Sequence, residues 1–95
     1  MPEVRLLGGL RDLLGERLVS SDALVVRELL EDISERGGEA VATLIYDEAG
    51  IAPSLDLRVL VNGRSMAFLA GLDTKLQAED TVTLHLAGAR GYPGG

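Results

Sequence analysis

The chain has 95 residues, the length of one domain, enough for a core but with little surplus. Its net charge of −6 argues against nucleic acid as a main partner. It contains no cysteine, which excludes disulfides, thiolate metal sites and a thiol nucleophile. Met1-Pro2-Glu3-Val4-Arg5 lacks the basic-then-apolar layout of a signal peptide, and no apolar run approaches the roughly 20 residues of a membrane helix. The expectation is a cytoplasmic protein with no membrane partner.

Glu3-Val4-Arg5-Leu6 alternates polar and apolar residues, which predicts a strand with one buried face. Gly8-Gly9 breaks it, Leu10, Leu13 and Leu14 fall at helical spacing, and Gly15 closes that short turn. No Gly-Lys-Ser/Thr follows Gly8-Gly9, so the pair is not a phosphate loop. Arg17 to Ser20 predicts a returning strand. Ser21 and Asp22 are helix-start residues. Val26, Leu29, Leu30 and Ile33 then form an apolar stripe, with Arg27, Glu28, Glu31, Asp32 and Glu35 covering the other side. Gly37-Gly38 predicts a stop, and a short second helix is expected from Glu39 to Tyr46, burying Val41, Leu44 and Ile45. Asp47 to Pro53 reads as loop.

Leu57 to Val61 is the plainest strand. Asn62-Gly63 predicts a two-residue hairpin turn, because both central positions need positive φ, and Arg64 to Phe68 is expected as the returning strand. Gly71 to Asp80 reads as a turn-rich crossing anchored by Leu72 and Leu76. Thr81 to Leu86 alternates, with Val82, Leu84 and Leu86 inward. From Ala87 the pattern ends. Residues 88–95 hold four glycines and a proline, too few apolar groups to offset the entropy of ordering them, so a flexible tail is expected.

One amphipathic helix must bury its stripe against one sheet. The reading is therefore α+β: a mixed sheet of about four to five strands around one main helix, the ubiquitin-like β-grasp arrangement, over residues 1–86, with the tail as 87–95. The first and last strands are expected as central parallel neighbours, with the tail leaving from a central strand.

Charge is unevenly placed. From Asp12 to Asp56 eleven acids meet three bases, a net −8; the rest of the chain carries +2. An acidic solvated helix face accounts for the first. For the second, a separate basic contact surface near Arg58, Arg64, His85 and Arg90 is expected. His85 is the only histidine and has no spaced partner, so no metal site and no catalytic residue are expected. Arg90 offers a guanidinium to a partner's carboxylate.

Three stretches carry a family resemblance. They are Leu7-Gly8-Gly9-Leu10-Arg11-Asp12-Leu13-Leu14-Gly15; Val26-Arg27-Glu28-Leu29-Leu30; and Leu60-Val61-Asn62-Gly63-Arg64 with Gly71-Leu72-Asp73-Thr74 and Glu79-Asp80-Thr81-Val82. With the terminal Gly94-Gly95, the set resembles the MoaD/ThiS group of ubiquitin-like sulfur carriers. The resemblance implies a β-grasp carrier, not an enzyme, whose Gly95 carboxylate is adenylated by an ATP-dependent activating enzyme. ATP and Mg belong to that partner, and the carrier binds no cofactor. The product is a thiocarboxylate that serves a sulfur-accepting synthase subunit, or a covalent link to lysines of target proteins. The family often ends in a short Pro-Pro-Val-Ala-Gly-Gly-like run; here Ala87 to Tyr92 makes a longer tail.

Physical chemistry bears on the same tail. A carboxylate is ionised at neutral pH and is a poor electrophile until joined to a leaving group. The activating site must exclude water, and a thin peptide such as Gly91-Tyr92-Pro93-Gly94-Gly95 threads into it more readily than a folded surface. Nine residues span at most about 30 Å. Sulfur carrier, protein modifier and a β-grasp interaction module with an inert tail all stay open at this level.

Overall fold

The computed structural model describes residues 1–47, 49–50 and 52–86. The expected tail, 87–95, lies outside the described residues, and with it Arg90, Gly91, Tyr92, Pro93, Gly94 and Gly95.

The alternation read at the N-terminus is realised in β1 (Glu3–Leu6), where Val4 and Leu6 are fully buried and Glu3 and Arg5 exposed. The short helix α1 (Gly9–Leu14) follows and buries Leu10. Gly15 ends it in the left-handed region, its N–H donating to the Arg11 carbonyl at 2.8 Å. The chain returns as β2 (Leu18–Ser20), antiparallel to β1.

The main helix α2 (Val26–Ile45) buries the whole predicted stripe of Val26, Leu29, Leu30 and Ile33. Its start falls later than Ser21 and Asp22 suggest, at Val25, and no side chain caps it. Tertiary contacts to Thr74 and Lys75, with a local bond to Glu28 just before the helix, do that work instead. The Val26 N–H donates to the Thr74 carbonyl at 3.0 Å, Val25 bridges to Lys75, and the Leu24 N–H donates to the Glu28 carboxylate at 2.9 Å. Ser21 is buried and occupied elsewhere, its hydroxyl donating to Asp32 at 2.7 Å and accepting from the Ala23 N–H. Asp32 also accepts from Arg36, which holds its carboxyl below the usual carboxylate range, against the opposing effect of partial burial; the Ser21 bond adds to the lowering.

Gly38 leaves helical backbone (φ 74°, ψ −162°), so α2 consists of segments 26–37 and 39–45 joined at a kink, with Val41 and Ile45 of the second fully buried. The stop at Gly37-Gly38 and the short helix beyond it are thus both present, run together end to end. Gly37 is required by close approach. A methyl there would lie 2.1 Å from Val41 Cγ2 and 2.5 Å from its Cβ. Gly37→Ala is expected to cost about 1–3 kcal/mol, the usual range for overpacking, read as a lower urea midpoint. Gly9→Ala is the control, because its methyl would meet only Leu86 Cδ1, at 3.9 Å.

Strand β3 (Leu57–Val61) is followed by the Asn62-Gly63 turn, with φ of 53° and 84°. Here the expectation of a strand from Arg64 to Phe68 is corrected. Pairing stops after β4 (Arg64–Ser65), because the Ser65 hydroxyl accepts from the Ala67 N–H and turns the chain into a 3₁₀ turn over Met66–Phe68. A second 3₁₀ turn spans Gly71–Asp73, tied to α2 by the Arg27–Asp73 ion pair at 2.7 Å. The last strand is β5 (Thr81–Leu86).

The sheet order is β2-β1-β5-β3-β4. β1 and β5 are parallel and central, with Val4 beside Val82 and Leu6 beside Leu84. β3 runs antiparallel to β5, with Val59 beside Leu84. The inner face, Val4, Leu6, Val19, Leu57, Val59, Val61, Val82 and Leu84, packs with the α2 stripe, Leu10 and Leu76 into one core. Five strands around one main helix make the β-grasp fold.

Candidate functional site: the outer sheet face at the end of β5

The end of β5 fixes where the chain departs toward its terminus. Leu86 pairs with Leu57 of β3 on one side, and on the other the Leu7 N–H donates to the Leu84 carbonyl at 3.2 Å. A central strand has hydrogen-bonded neighbours on both edges, so this point is held firmly.

Because side chains alternate, the residues between the buried ones form the outer face. One row across it reads Leu18, Arg5, Thr83, Leu60, and the next pairs His85 with Arg58. The Arg58 guanidinium donates to the Leu55 carbonyl at 3.1 Å, and His85 is exposed. At the β1–β2 side the face hollows into a concavity of about 270 Å³ lined by Arg5, Leu6, Leu7, Arg17, Leu18 and Thr83. Leu18 is 50% exposed and Leu7 42%. Arg5 and Arg17 hold no carboxylate among the described residues, whose ion pairs join Arg11 to Asp12, Arg27 to Asp73 and Arg36 to Asp32. The arrangement is two unneutralised guanidinium groups flanked by exposed leucines, beside the strand that leads to the terminus. It suits a partner surface that offers acids around an apolar centre.

The structure places Arg58 beside His85 and separates Arg64 from them. Arg64 pairs with Val61, whose side chain is buried, so it belongs to the inner-face register at the edge of the sheet. Val61 is also level with Val82, near the start of β5, whereas Arg58 and His85 lie near its end. Arg64 lines a different hollow with Val61, Asn62, Leu69, Thr74 and Lys75. Arg5, Arg17, Leu7 and Leu18 were not singled out in the sequence. The signal was there for two of them: Arg5 is the polar partner in the β1 alternation, and Leu18 is an apolar residue on the outward parity of β2, next to inward Val19.

On the opposite side, Glu28, Glu31 and Glu35 are exposed along α2. The helix acids and the outer-face cations Arg5, Arg17 and Arg58 therefore occupy different faces, although Arg17 comes from the acidic stretch and Arg64 of the basic part lies off the outer face. Among the described residues there is no cluster of three or more metal-ligating side chains, and no helix is long and apolar enough to cross a membrane.

The profile of the ThiS family matches residues 4–84. The chain belongs to the ThiS family. No curated protein matches in sequence. Solved structures agree with the assignment. CysO in the Amycolatopsis orientalis BexX/CysO complex is similar with a TM-score of 0.78 and 27% identity, covering 96% of this chain and 100% of that one. The small archaeal modifier protein 1 of Methanosarcina acetivorans gives a TM-score of 0.85 at 20% identity, with 95% of each chain covered, a likeness of fold. A putative molybdopterin converting factor subunit 1 from Pyrococcus furiosus gives 0.66 at 26% identity, covering 90% of this chain and 94% of that one. The MoaD/ThiS resemblance and the β-grasp fold of this ThiS-family chain are both met.

Proposed function

We propose that this protein is a ubiquitin-like sulfur carrier. The observation that supports it is that the central strand of a ThiS-family β-grasp domain leads, past Leu86, into a sequence ending in Gly94-Gly95. The protein is the substrate of the reaction. An adenylating enzyme joins the Gly95 carboxylate to AMP from ATP, with release of pyrophosphate, using its own ATP and Mg. A sulfur nucleophile then displaces AMP and leaves a thiocarboxylate. A cytoplasmic sulfur-accepting partner takes the sulfur onward. Gly91, Tyr92, Pro93 and Gly94 thread the tail into the activating site, and the concavity at Arg5, Arg17, Leu7 and Leu18, with Arg58 and His85, seats the enzyme. The testing experiment is intact mass of the protein after incubation with ATP, Mg, a sulfur donor and the cognate activating enzyme. A terminal oxygen replaced by sulfur supports the reading. Isopeptide bonds from Gly95 to lysines of other proteins, with no thiocarboxylate, would make it a modifier instead.

Docking on the cationic outer face gives an expected rate effect. Arg5→Glu or Arg17→Glu should slow association with the activating enzyme by about tenfold at low ionic strength and much less at high salt, since steering by charge is screened. Glu31→Lys on the opposite face should leave the rate nearly unchanged. Stopped-flow association across a salt series makes the comparison, and equal effects from the two faces would remove the outer sheet as the docking surface.

A further inference from the structure

Asn-Gly is the dipeptide most prone to deamidation, because glycine offers an unhindered backbone nitrogen. The chain contains one, Asn62-Gly63, in the two-residue turn between β3 and β4. In the reaction the Gly63 nitrogen attacks Cγ of Asn62. The N–Cγ bond forms, the Cγ–Nδ2 bond breaks, and the amide leaves as ammonia, taking up the proton lost by Gly63. Water then opens the resulting succinimide at either carbonyl, giving aspartate or isoaspartate.

The fold holds Asn62 away from that path. Its Nδ2 donates to Asp80 Oδ1 at 2.9 Å, its Oδ1 accepts from the Thr81 N–H at 2.9 Å, and its backbone N–H donates to the Thr81 carbonyl at 2.8 Å. Asp80 is itself fixed, accepting from the Gln77 N–H at 2.8 Å. The side chain is thus drawn across to the start of β5.

We propose that Asn62 is a latent modification site, closed by its bonds to Asp80 and Thr81, whose deamidation proceeds only through opening of the β3–β5 end. Once formed, the product cannot restore the lock. Aspartate replaces the Nδ2 donor with an acceptor and sets a second carboxylate against Asp80, and isoaspartate adds a methylene to a two-residue turn whose register has no room for one. Modified chains therefore accumulate in a form with a loosened β3–β4 hairpin.

The experiment ages the full chain at mildly alkaline pH and quantifies isoaspartate at residue 62 by peptide mapping. Wild type is compared in buffer, across a urea series below the unfolding midpoint, and fully unfolded. Thr81 and Asn62 amide hydrogen exchange is measured in parallel. The unfolded chain is expected to deamidate at least about tenfold faster than the folded one, and the folded rate should climb with urea in step with opening at Thr81. Asp80→Ala, shown by circular dichroism to be folded, should deamidate severalfold faster than wild type. Equal rates in folded and unfolded wild type, or a folded rate indifferent to opening, overturns the proposal. Because the urea series uses the native sequence, the test stands even if Asp80→Ala does not fold.

Discussion

Deleting Gly95 is expected to abolish adenylation while leaving thermal unfolding nearly unchanged. The two halves of that expectation have different origins. The buried cluster of the described residues closes within Val4–Leu84, and the last pairing in β5 is at Leu86. The sequence beyond that contains only Ala87, Ala89, Tyr92 and Pro93 as apolar residues apart from glycine. Removing its last residue should stay within the roughly 0.5 kcal/mol usual for changes outside the core. Activation is another matter. Adenylation requires a carboxylate at the reacting phosphorus, and a chain shortened by one residue presents its carboxylate about 3.5 Å short of that position. Displacement by 1 Å can cost a hundredfold in rate, so a shift of this size should bring the reaction to background. Gly94→Ala keeps the length but adds a methyl where the activating site must close around the backbone, and it too should fail. ATP–pyrophosphate exchange with the cognate enzyme reads both variants. A shortened protein that still supports exchange would end the carrier reading.

Much of the fold was legible because the sequence and the tertiary structure ask for the same thing. The alternation of Val4 and Leu6, and of Val82 and Leu84, could be read as strands because each has one buried face. The α2 stripe had no other use for its four apolar residues. The errors arose where one residue served two demands. Ser21 looks like a helix cap, but its hydroxyl is committed to Asp32 and Ala23, and the helix starts where strand-like bonds to Thr74 and Lys75 end. Met66 and Phe68 look like the inward side of a strand, yet Phe68 is 82% exposed, because a side-chain bond from Ser65 wins over two or three more ladder bonds at a sheet edge. The placement of Arg64 was open to a parity argument. A two-residue turn puts Arg64 opposite Val61, and Val61 is inward, so Arg64 could not share a face with Arg58. The concavity at Arg5 and Arg17 needed the pairing of β1 with β2, which joins residues separated by the α1 turn and has no short-range signature.

Leu30→Asp is expected to unfold the domain. Leu30 is fully buried in the centre of the α2 stripe. Losing a buried leucine costs about 2–5 kcal/mol, and placing a carboxyl without a partner in its position adds several more. A domain of this length has about 5–14 kcal/mol in total, so the variant sits at or beyond the limit. Val59→Asp, from the facing strand of the same core, should behave alike. Glu31→Lys changes the neighbouring residue on the exposed side and should remain within about 0.5 kcal/mol. Acid separates a buried carboxyl from a merely lost side chain. In the wild type, Asp32 and Asp80 have carboxyls held below the usual range, Asp32 chiefly by Arg36 and Asp80 by the Gln77 N–H and Asn62. Their contribution is present above the unfolded carboxylate range and fades as pH falls through the folded one, so acid weakens the wild type. The carboxyl introduced at position 30 has the opposite sign, because burial favours its neutral form. Between neutrality and the ordinary carboxylate range, acidification should restore part of the helical circular dichroism to Leu30→Asp, while Leu30→Ala shows no such gain. Full protection of the 26–33 amides in Leu30→Asp at neutral pH would place Leu30 outside the core.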